Sequence, residues 1–379
     1  MFEPVLSLAH RFPRGLLGTQ EVSMKRLALA VALTAFFTTP ATAQQSPPEI
    51  EFESVPHFLK YSPDMNLGEI LGVAVNSAGT MVVLNHPGSA NAGPIWGNST
   101  TQLLEFDAEG SFVREIGKGV YGIAYAHQVR FDDDDNLWVV DKAANTVVKF
   151  DPQGYVMMNL GRREEGYHGN VELPSQREAR AFGGYFNGPT DVAWDSDGNI
   201  FVSDGYVNSR MAKFDKHGNF LMDWGSFGTE IGQFRLPHAM LLDRNDRVYV
   251  ADRSNLRIQV FDSNGNFERV ILLNVPYPAD YQPPYAAVNA NRPIREATQP
   301  WAMCITDASS QEIWVADAEP GRIYRVALDG TILGWLGSSG RELGQFNWVH
   351  SLDCSQVGDG VLYVADMNNW RVQKLLIDP

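Results

Sequence analysis

Three of the eight histidines in this 379-residue chain begin closely similar segments. His127 opens HQVRFD, His238 opens HAMLLD and His350 opens HSLDCS. A neutral imidazole is a ligand for zinc, copper, iron or nickel, and three such ligands leave one position of a zinc ion open for water or substrate. If the three segments are equivalent in the fold, they predict a metal centre, with zinc the first choice. In the alternative interpretation, the three side chains only form hydrogen bonds inside a channel.

The elements that must position these histidines belong to an internal repeat. An apolar strand that ends in Asp recurs five times, and a degenerate copy, MVVLN, ends at Asn85. The five copies are LWVVD, IFVSD, VYVAD, IWVAD and LYVAD, which end at Asp141, Asp204, Asp252, Asp317 and Asp366. Apolar strands and turns rich in Asp, Asn and Gly flank each copy. Four short antiparallel strands per unit predict an all-β fold, a six-bladed β-propeller.

The last unit is one strand short, because the chain ends with RVQKLLIDP. The segment from Ile50 to Tyr61 precedes the first unit, and we expect it to complete the last blade and close the ring. Residues 44–379 are therefore expected to form one domain. Two insertions, 162–185 and 274–299, interrupt the repeat and are either lids or partner surfaces, or surface loops without a function.

Alignment of the innermost strands places the three histidines at one position of the repeat. The leading residues of the six strands are Leu71, His127, Thr190, His238, Trp301 and His350. Histidine thus occupies blades two, four and six, which lie a third of a turn apart. Because all inner strands begin at the same mouth of the central channel, we expect the three imidazoles to meet near its axis.

Charge and targeting signals limit the partners and the location of the chain. Its formal net charge of −15 disfavours a nucleic-acid partner. Residues 24–43 combine a basic start, Lys25 and Arg26, with a short apolar stretch and a small-residue cleavage motif, as in a signal peptide. We expect residues 1–43 to be a leader, Met24 to be the initiator, and the mature protein to be exported to the periplasm or secreted. No later apolar run is long enough for a membrane anchor.

The chain has two cysteines, Cys304 and Cys354, on the inner strands of blades five and six. An even number of cysteines in an exported protein favours a disulfide, here between neighbouring blades. Two separate buried thiols are the alternative.

Nearly the whole chain after the leader resembles NHL-repeat propellers, most clearly in the segment 186–261. Its motifs DGYVNSR, LPHAM and ADRSNLRIQ are similar to those of peptidyl-α-hydroxyglycine α-amidating lyases. The resemblance implies zinc held by His127, His238 and His350, a catalytic tyrosine at Tyr206, and a substrate-side arginine at Arg253. It also implies cleavage of a carbinolamide C–N bond to an amide and glyoxylate, with zinc as Lewis acid and the tyrosine as general base.

This chain departs from the family pattern at three positions. Pro87 stands where the family has an arginine, Trp348 where it has a methionine, and Ser351 where it has an aspartate near a structural calcium ion. Without that arginine, one guanidinium that could bind a carboxylate is missing, so the small-molecule or peptide substrate can differ from the family's. The serine argues against structural calcium.

Two other functions fit the same repeat. One is a non-catalytic NHL propeller that binds a protein or a small ligand through its loop-rich face. The other is a calcium-dependent lactonase or esterase, which is least favoured because the histidine register holds no carboxylates. The fold by itself does not choose among them.

Overall fold

A computed structural model describes residues 46–87, 101–162, 185–276, 298–317 and 321–378. The predicted leader, 1–43, and nearly all of the two predicted insertions, 162–185 and 274–299, lie outside these residues. Within the described ranges, the chain has no helix that combines the length and the apolar character needed to cross a bilayer.

The described residues form short strands that are grouped into six four-stranded antiparallel sheets. The first strand is β1 (Phe52–Ser54). Blade 1 comprises β2 (Glu69–Val75), β3 (Met81–His86), β4 (Gln102–Phe106) and β5 (Phe112–Ile116). Blade 2 comprises β6 (Ala126–Phe131), β7 (Leu137–Asp141), β8 (Thr146–Phe150) and β9 (Val156–Gly161). Blade 3 comprises β10 (Asp191–Trp194), β11 (Ile200–Asp204), β12 (Arg210–Phe214) and β13 (Phe220–Trp224).

The second half of the chain repeats this pattern. Blade 4 comprises β14 (Pro237–Leu242), β15 (Val248–Asp252), β16 (Arg257–Phe261) and β17 (Phe267–Ile271). Blade 5 comprises β18 (Pro300–Ile305), β19 (Glu312–Asp317), β20 (Ile323–Ala327) and β21 (Ile332–Leu336). A small parallel pair, β22 (Ser338–Ser339) and β23 (Gln345–Phe346), precedes blade 6. Blade 6 comprises β24 (Val349–Asp353), β25 (Val361–Asp366), β26 (Arg371–Ile377) and β1. Three described 3-10 turns span Arg253–Asn255, Val357–Asp359 and Met367–Asn369.

The amino-terminal strand completes the last blade, as predicted. β1 pairs antiparallel with β26, with Phe52 opposite Ile377. The strand is shorter than the expected segment from Ile50 to Tyr61. Upstream of it, the Ile50 N–H donates to the Trp335 carbonyl of blade 5 at 2.7 Å. The segment from Ile50 to Ser54 therefore ties blades 5 and 6 together.

The hydrophobic core lies between the blades. Six clusters of buried side chains each join one blade to the next, and one of them joins blade 6 back to blade 1. The middle strands are apolar along almost their whole length because neighbouring blades cover both of their faces. The inner strands contact one another in ring order. This closed ring confirms the predicted six-bladed propeller.

The aspartate that ends the second strand of a blade holds the next turn in place. In blade 4, Asp252 Oδ2 accepts hydrogen bonds from Arg257 Nε and Asn255 Nδ2, both at 2.8 Å. Its other oxygen accepts from the Arg235 N–H at 2.8 Å. Asp204 in blade 3 plays the same part. The recurrent Asp is therefore a structural residue.

We expect Asp204→Ala to lower the free energy of unfolding by about 3–5 kcal/mol. The Asp204 carboxylate bonds Arg210 Nε at 3.1 Å, and both side chains are almost fully buried, so the substitution leaves a buried cation with one partner fewer. Denaturant unfolding measures the change. The matched control is Asp197→Ala at an exposed turn, which should stay within about 0.5 kcal/mol of the parent protein. A loss as small as the control's would contradict the structural role.

The two cysteines form a disulfide. Cys304 on β18 bonds to Cys354, which directly follows β24. The bond joins the inner strands of blades 5 and 6, which is the first of the two alternatives that the sequence left open.

Candidate metal centre and channel mouth

Each of the three histidines lies at a β-bulge near the start of an inner strand. In blade 2, the neighbours of His127 pair with Asp141 and Val140, which are adjacent residues, so His127 itself has no opposite partner. The register shifts in the same way at His238 and at His350. A bulge inserts one residue, breaks the strict alternation of side chains and re-aims a side chain. The three bulges therefore account for the shared direction of the imidazoles.

The three imidazoles meet at one point of the channel. Their ligand nitrogens all lie within 4.8 Å of one another. The ring centroid of His127 lies 4.7 Å from the centroid of His238 and 4.7 Å from that of His350, and the centroids of His238 and His350 are 5.1 Å apart. All three side chains are buried. Within the described part of the chain, they form the one group of three or more His, Cys, Asp or Glu side chains that could hold a metal ion.

The odd-numbered blades orient these rings. The Nδ1–carbonyl pairs are His127 with Thr190 at 2.7 Å, His238 with Trp301 at 2.8 Å, and His350 with Leu71 at 2.8 Å. Because a carbonyl oxygen can only accept a hydrogen bond, each Nδ1 carries the proton and each Nε2 presents a lone pair. Blades 2, 4 and 6 thus supply the ligand nitrogens, and blades 3, 5 and 1 fix their tautomers.

Burial keeps the three imidazoles neutral. It lowers the pKa of His350 to about 3, and it lowers the pKa of His127 and of His238 well below the usual value. The nearby cations Lys142 and Arg253 act in the same direction on His127. His238 Nε2 is buried and has no hydrogen-bond partner among the described residues. Three neutral donors, one of them otherwise unsatisfied, fit a zinc ion.

Tyr206 lies beside this group, in the turn after β11. Its hydroxyl is 3.1 Å from His127 Nε2, and since that nitrogen carries a lone pair, the tyrosine donates the hydrogen bond. The ring packs edge-on against His127, with 5.3 Å between centroids. Gly188 makes room for it, because a Cβ at this position would lie 2.6 Å from the Tyr206 Cβ. The structure therefore places the predicted catalytic tyrosine against a predicted ligand.

Arg253 lies in the turn after β15, in a stack of aromatic rings. Its guanidinium carbon is 3.3 Å from the centroid of the Trp301 ring, which in turn lies 4.8 Å from the ring of His238. Trp348 packs perpendicular to Trp301 at 4.8 Å. Trp348 has a φ of +72°, a left-handed conformation that the equivalent residue of blade 4, Leu236, shares with a φ of +61°. The departure from methionine at this position thus builds an aromatic wall beside the predicted arginine.

Sequence reasoning missed Lys142, which lies on the Tyr206 side of the mouth. Its ammonium nitrogen is 4.8 Å from the ring centroids of both Tyr125 and Tyr206. The repeat contains the signal that could have found it, because Lys142 follows the blade-2 aspartate just as Arg253 follows the blade-4 aspartate.

A buried acid and a buried imidazole also line this side of the mouth. The Tyr125 hydroxyl donates to Glu69 Oε2 at 3.1 Å, and burial raises the pKa of Glu69. His86 stacks on Tyr125 with 4.0 Å between ring centroids, and burial lowers the pKa of His86 to about 3. Pro87, the position of the missing family arginine, directly follows this histidine and brings no charge.

Deeper in the channel, the donor set does not fit a calcium ion. The Ser351 hydroxyl donates to Gln128 Oε1 at 3.0 Å, so a neutral pair stands where calcium would require a carboxylate. Arg130 lies on β6, the strand that also carries Gln128. Its guanidinium binds both carboxylate oxygens of Asp191 and donates to the Met303 carbonyl at 3.2 Å. These oxygen atoms are therefore already bonded to a cation of the protein.

Comparisons with known proteins find NHL repeats in part of the chain. The family model of the NHL repeat matches residues 186–214 and 234–261. A Caenorhabditis elegans protein named as a probable peptidyl-α-hydroxyglycine α-amidating lyase is 31% identical over 54% of this chain. Peptidyl-α-hydroxyglycine α-amidating lyase 1 of Drosophila melanogaster is 24% identical over 83% of this chain. The match spans 58% of the length of each of these relatives.

Solved structures agree on the fold. The crystal structure of virginiamycin B lyase from Staphylococcus aureus superposes with a TM-score of 0.52 and 12% identity, over 87% of this chain and 100% of that one. At this identity, the likeness concerns the fold alone. The chain is thus a six-bladed β-propeller with NHL repeats, and its sequence is similar to those of peptidyl-α-hydroxyglycine α-amidating lyases.

Proposed function

We propose that the protein is a metal-dependent lyase that cleaves the C–N bond of a carbinolamide, releasing an amide and glyoxylate. One observation carries the proposal: three neutral Nε2 atoms converge in the channel, and the hydroxyl of Tyr206 lies 3.1 Å from one of them. This arrangement combines a metal-binding donor set with a proton acceptor at one point. The names of the similar worm and fly proteins give the reaction class.

His127, His238 and His350 would hold the metal, and zinc suits three neutral nitrogens. When bound, the ion would act as a Lewis acid on the hydroxyl oxygen of the substrate. The carbonyl oxygens of the odd-numbered blades hold the ligand rings in their orientation, so the site is preorganised.

Tyr206 would take the proton of the substrate hydroxyl. As that proton leaves, the C–O bond becomes the carbonyl of glyoxylate, the C–N bond breaks, and the departing amide nitrogen takes up a proton. The Lys142 ammonium lies 4.8 Å from the centroid of the Tyr206 ring, so a cation stands beside the group that would take the proton.

Arg253 would bind the carboxylate of the substrate. Its guanidinium carbon lies 3.3 Å from the centroid of the Trp301 ring, and a planar guanidinium binds a carboxylate through two parallel hydrogen bonds. The Trp301 ring in turn packs against His238. The substrate would therefore be gripped by its carboxylate while its hydroxyl faces the histidines.

A glyoxylate-release assay on the purified mature protein tests the proposal. We expect about one zinc per chain and equal amounts of amide and glyoxylate from a peptide that ends in α-hydroxyglycine. A chelator should abolish release, and added zinc should restore it. Full zinc occupancy without any turnover would reject this substrate. Absence of bound metal would favour the non-catalytic propeller instead.

A further inference from the structure

The repeat places two cations at equivalent positions of the channel mouth. The residue that follows the terminal Asp or Asn of the second strand is His86, Lys142, Gly205, Arg253 and Met367 in blades 1, 2, 3, 4 and 6. The two cations of this set, Lys142 and Arg253, belong to blades 2 and 4, which also carry two of the metal-binding histidines. The propeller symmetry thus directs both cations towards the same mouth, from different sides.

Both cations lie beside the three histidines. Lys142 lies over the ring of Tyr206, whose hydroxyl is 3.1 Å from His127 Nε2, and Arg253 lies over the ring of Trp301, which packs against His238. Each cation rests on aromatic rings, Lys142 on Tyr125 and Tyr206 and Arg253 on Trp301. Aromatic faces hold a cation without neutralising it.

The nearby carboxylates do not neutralise Lys142. Among the described residues, no carboxylate oxygen lies within 4.0 Å of its ammonium. The oxygens of the preceding Asp141 accept the N–H groups of Ala124, Ala143 and Ala144. Glu69 accepts a hydrogen bond from the Tyr125 hydroxyl, and burial raises the pKa of Glu69, with the Tyr125 bond and the charge of Lys142 acting against the rise. The mouth therefore presents positive charge on a chain whose formal net charge is −15.

We infer that Lys142 is a second anchor for the anionic group of the substrate, which it binds together with Arg253. This inference rests on the proposed function and specifies its substrate class, a small molecule or peptide end that carries a carboxylate. Arginine supplies the directional, two-pronged contact, and lysine adds a point charge on a flexible stem. Lys142 is then a specificity-determining residue, and the acid is preferred over an uncharged analogue because of both cations.

The first test compares two substrates in the zinc-loaded protein, a peptide that ends in α-hydroxyglycine and the same peptide with its terminal carboxylate converted to a carboxamide. We expect Lys142→Met to raise KM for the acid roughly 10- to 100-fold, the usual effect of losing a hydrogen bond to a charged group, and to leave the carboxamide nearly unchanged. Lys142→Arg should restore most of the preference. Lys118→Met, which removes an equal charge at a side chain that is 80% exposed, is the matched control and should behave like the parent protein.

The second test does not depend on turnover. Glyoxylate binding is measured by titration calorimetry in zinc-loaded and in metal-free protein, for the parent chain and for Lys142→Met, Arg253→Met and Lys118→Met. We expect roughly tenfold weaker binding in each of the first two variants and no change in the control. Weakened binding without glyoxylate release by the parent protein would keep the anchor and reject the lyase. Unchanged binding in Lys142→Met, or equal losses for the acid and the carboxamide that arginine does not rescue, would reject the anchor.

Discussion

His238→Ala should reduce the bound metal from about one ion per chain to nearly none. The imidazole of His238 supplies one of three ligand nitrogens, and its Nε2 has no other partner among the described residues. Two remaining neutral nitrogens hold zinc weakly, because its protein sites use three or four protein ligands. Elemental analysis of the purified protein measures the change. Glyoxylate release should fall together with the metal, by about a thousandfold or more.

The control for this experiment is His217→Ala, at an exposed turn between strands of blade 3, which should keep both metal and activity. The substitution of His238 also removes the donor to the Trp301 carbonyl, so a thermal melt is needed to show that the variant is folded. His238→Gln, whose side-chain amide can still donate a hydrogen bond, provides a second folded variant without the imidazole. Full metal content in either folded variant would place the metal elsewhere.

Tyr206→Phe should lower kcat by about 10²- to 10⁴-fold, the usual contribution of a general base, and leave the metal content unchanged. The substitution removes only the hydroxyl that lies 3.1 Å from His127 Nε2 and keeps the ring that packs against this histidine. Steady-state kinetics of glyoxylate release, together with elemental analysis, separates the loss of a base from the loss of a ligand.

Tyr155→Phe is the matched control, because this tyrosine is 73% exposed and precedes the outer strand of blade 2. It should retain the parental kcat. A Tyr206→Phe protein with parental kcat would show that the tyrosine only packs beside the ligands. Loss of metal in that variant would show that the hydroxyl supports the metal site and not the proton transfer.

The fold could be predicted from the sequence because a propeller repeats one four-stranded unit six times. The apolar strand that ends at Asp141 recurs with the same flanking turns as far as Asp366, and each copy predicts the same antiparallel pairing. The last blade lacks one strand and the strand near Phe52 belongs to no other blade, so a closed ring requires the two to pair. The extent of that strand was wrong, since the segment up to Tyr61 leaves the ladder after Ser54. Local patterns do not show where pairing with a distant strand stops.

By itself, the sequence determined the ring and the register that brings His127, His238 and His350 to one level, because both follow from periodicity along the chain. Only the tertiary structure decided where these side chains point. Strict alternation along a strand cannot anticipate a bulge, and the carbonyl oxygens that fix the three tautomers come from neighbouring blades. The place of Lys142 between Tyr125 and Tyr206 likewise depends on packing between blades. Contacts between residues far apart in the chain produce no periodic pattern in the sequence, so they can be seen only in the folded ring.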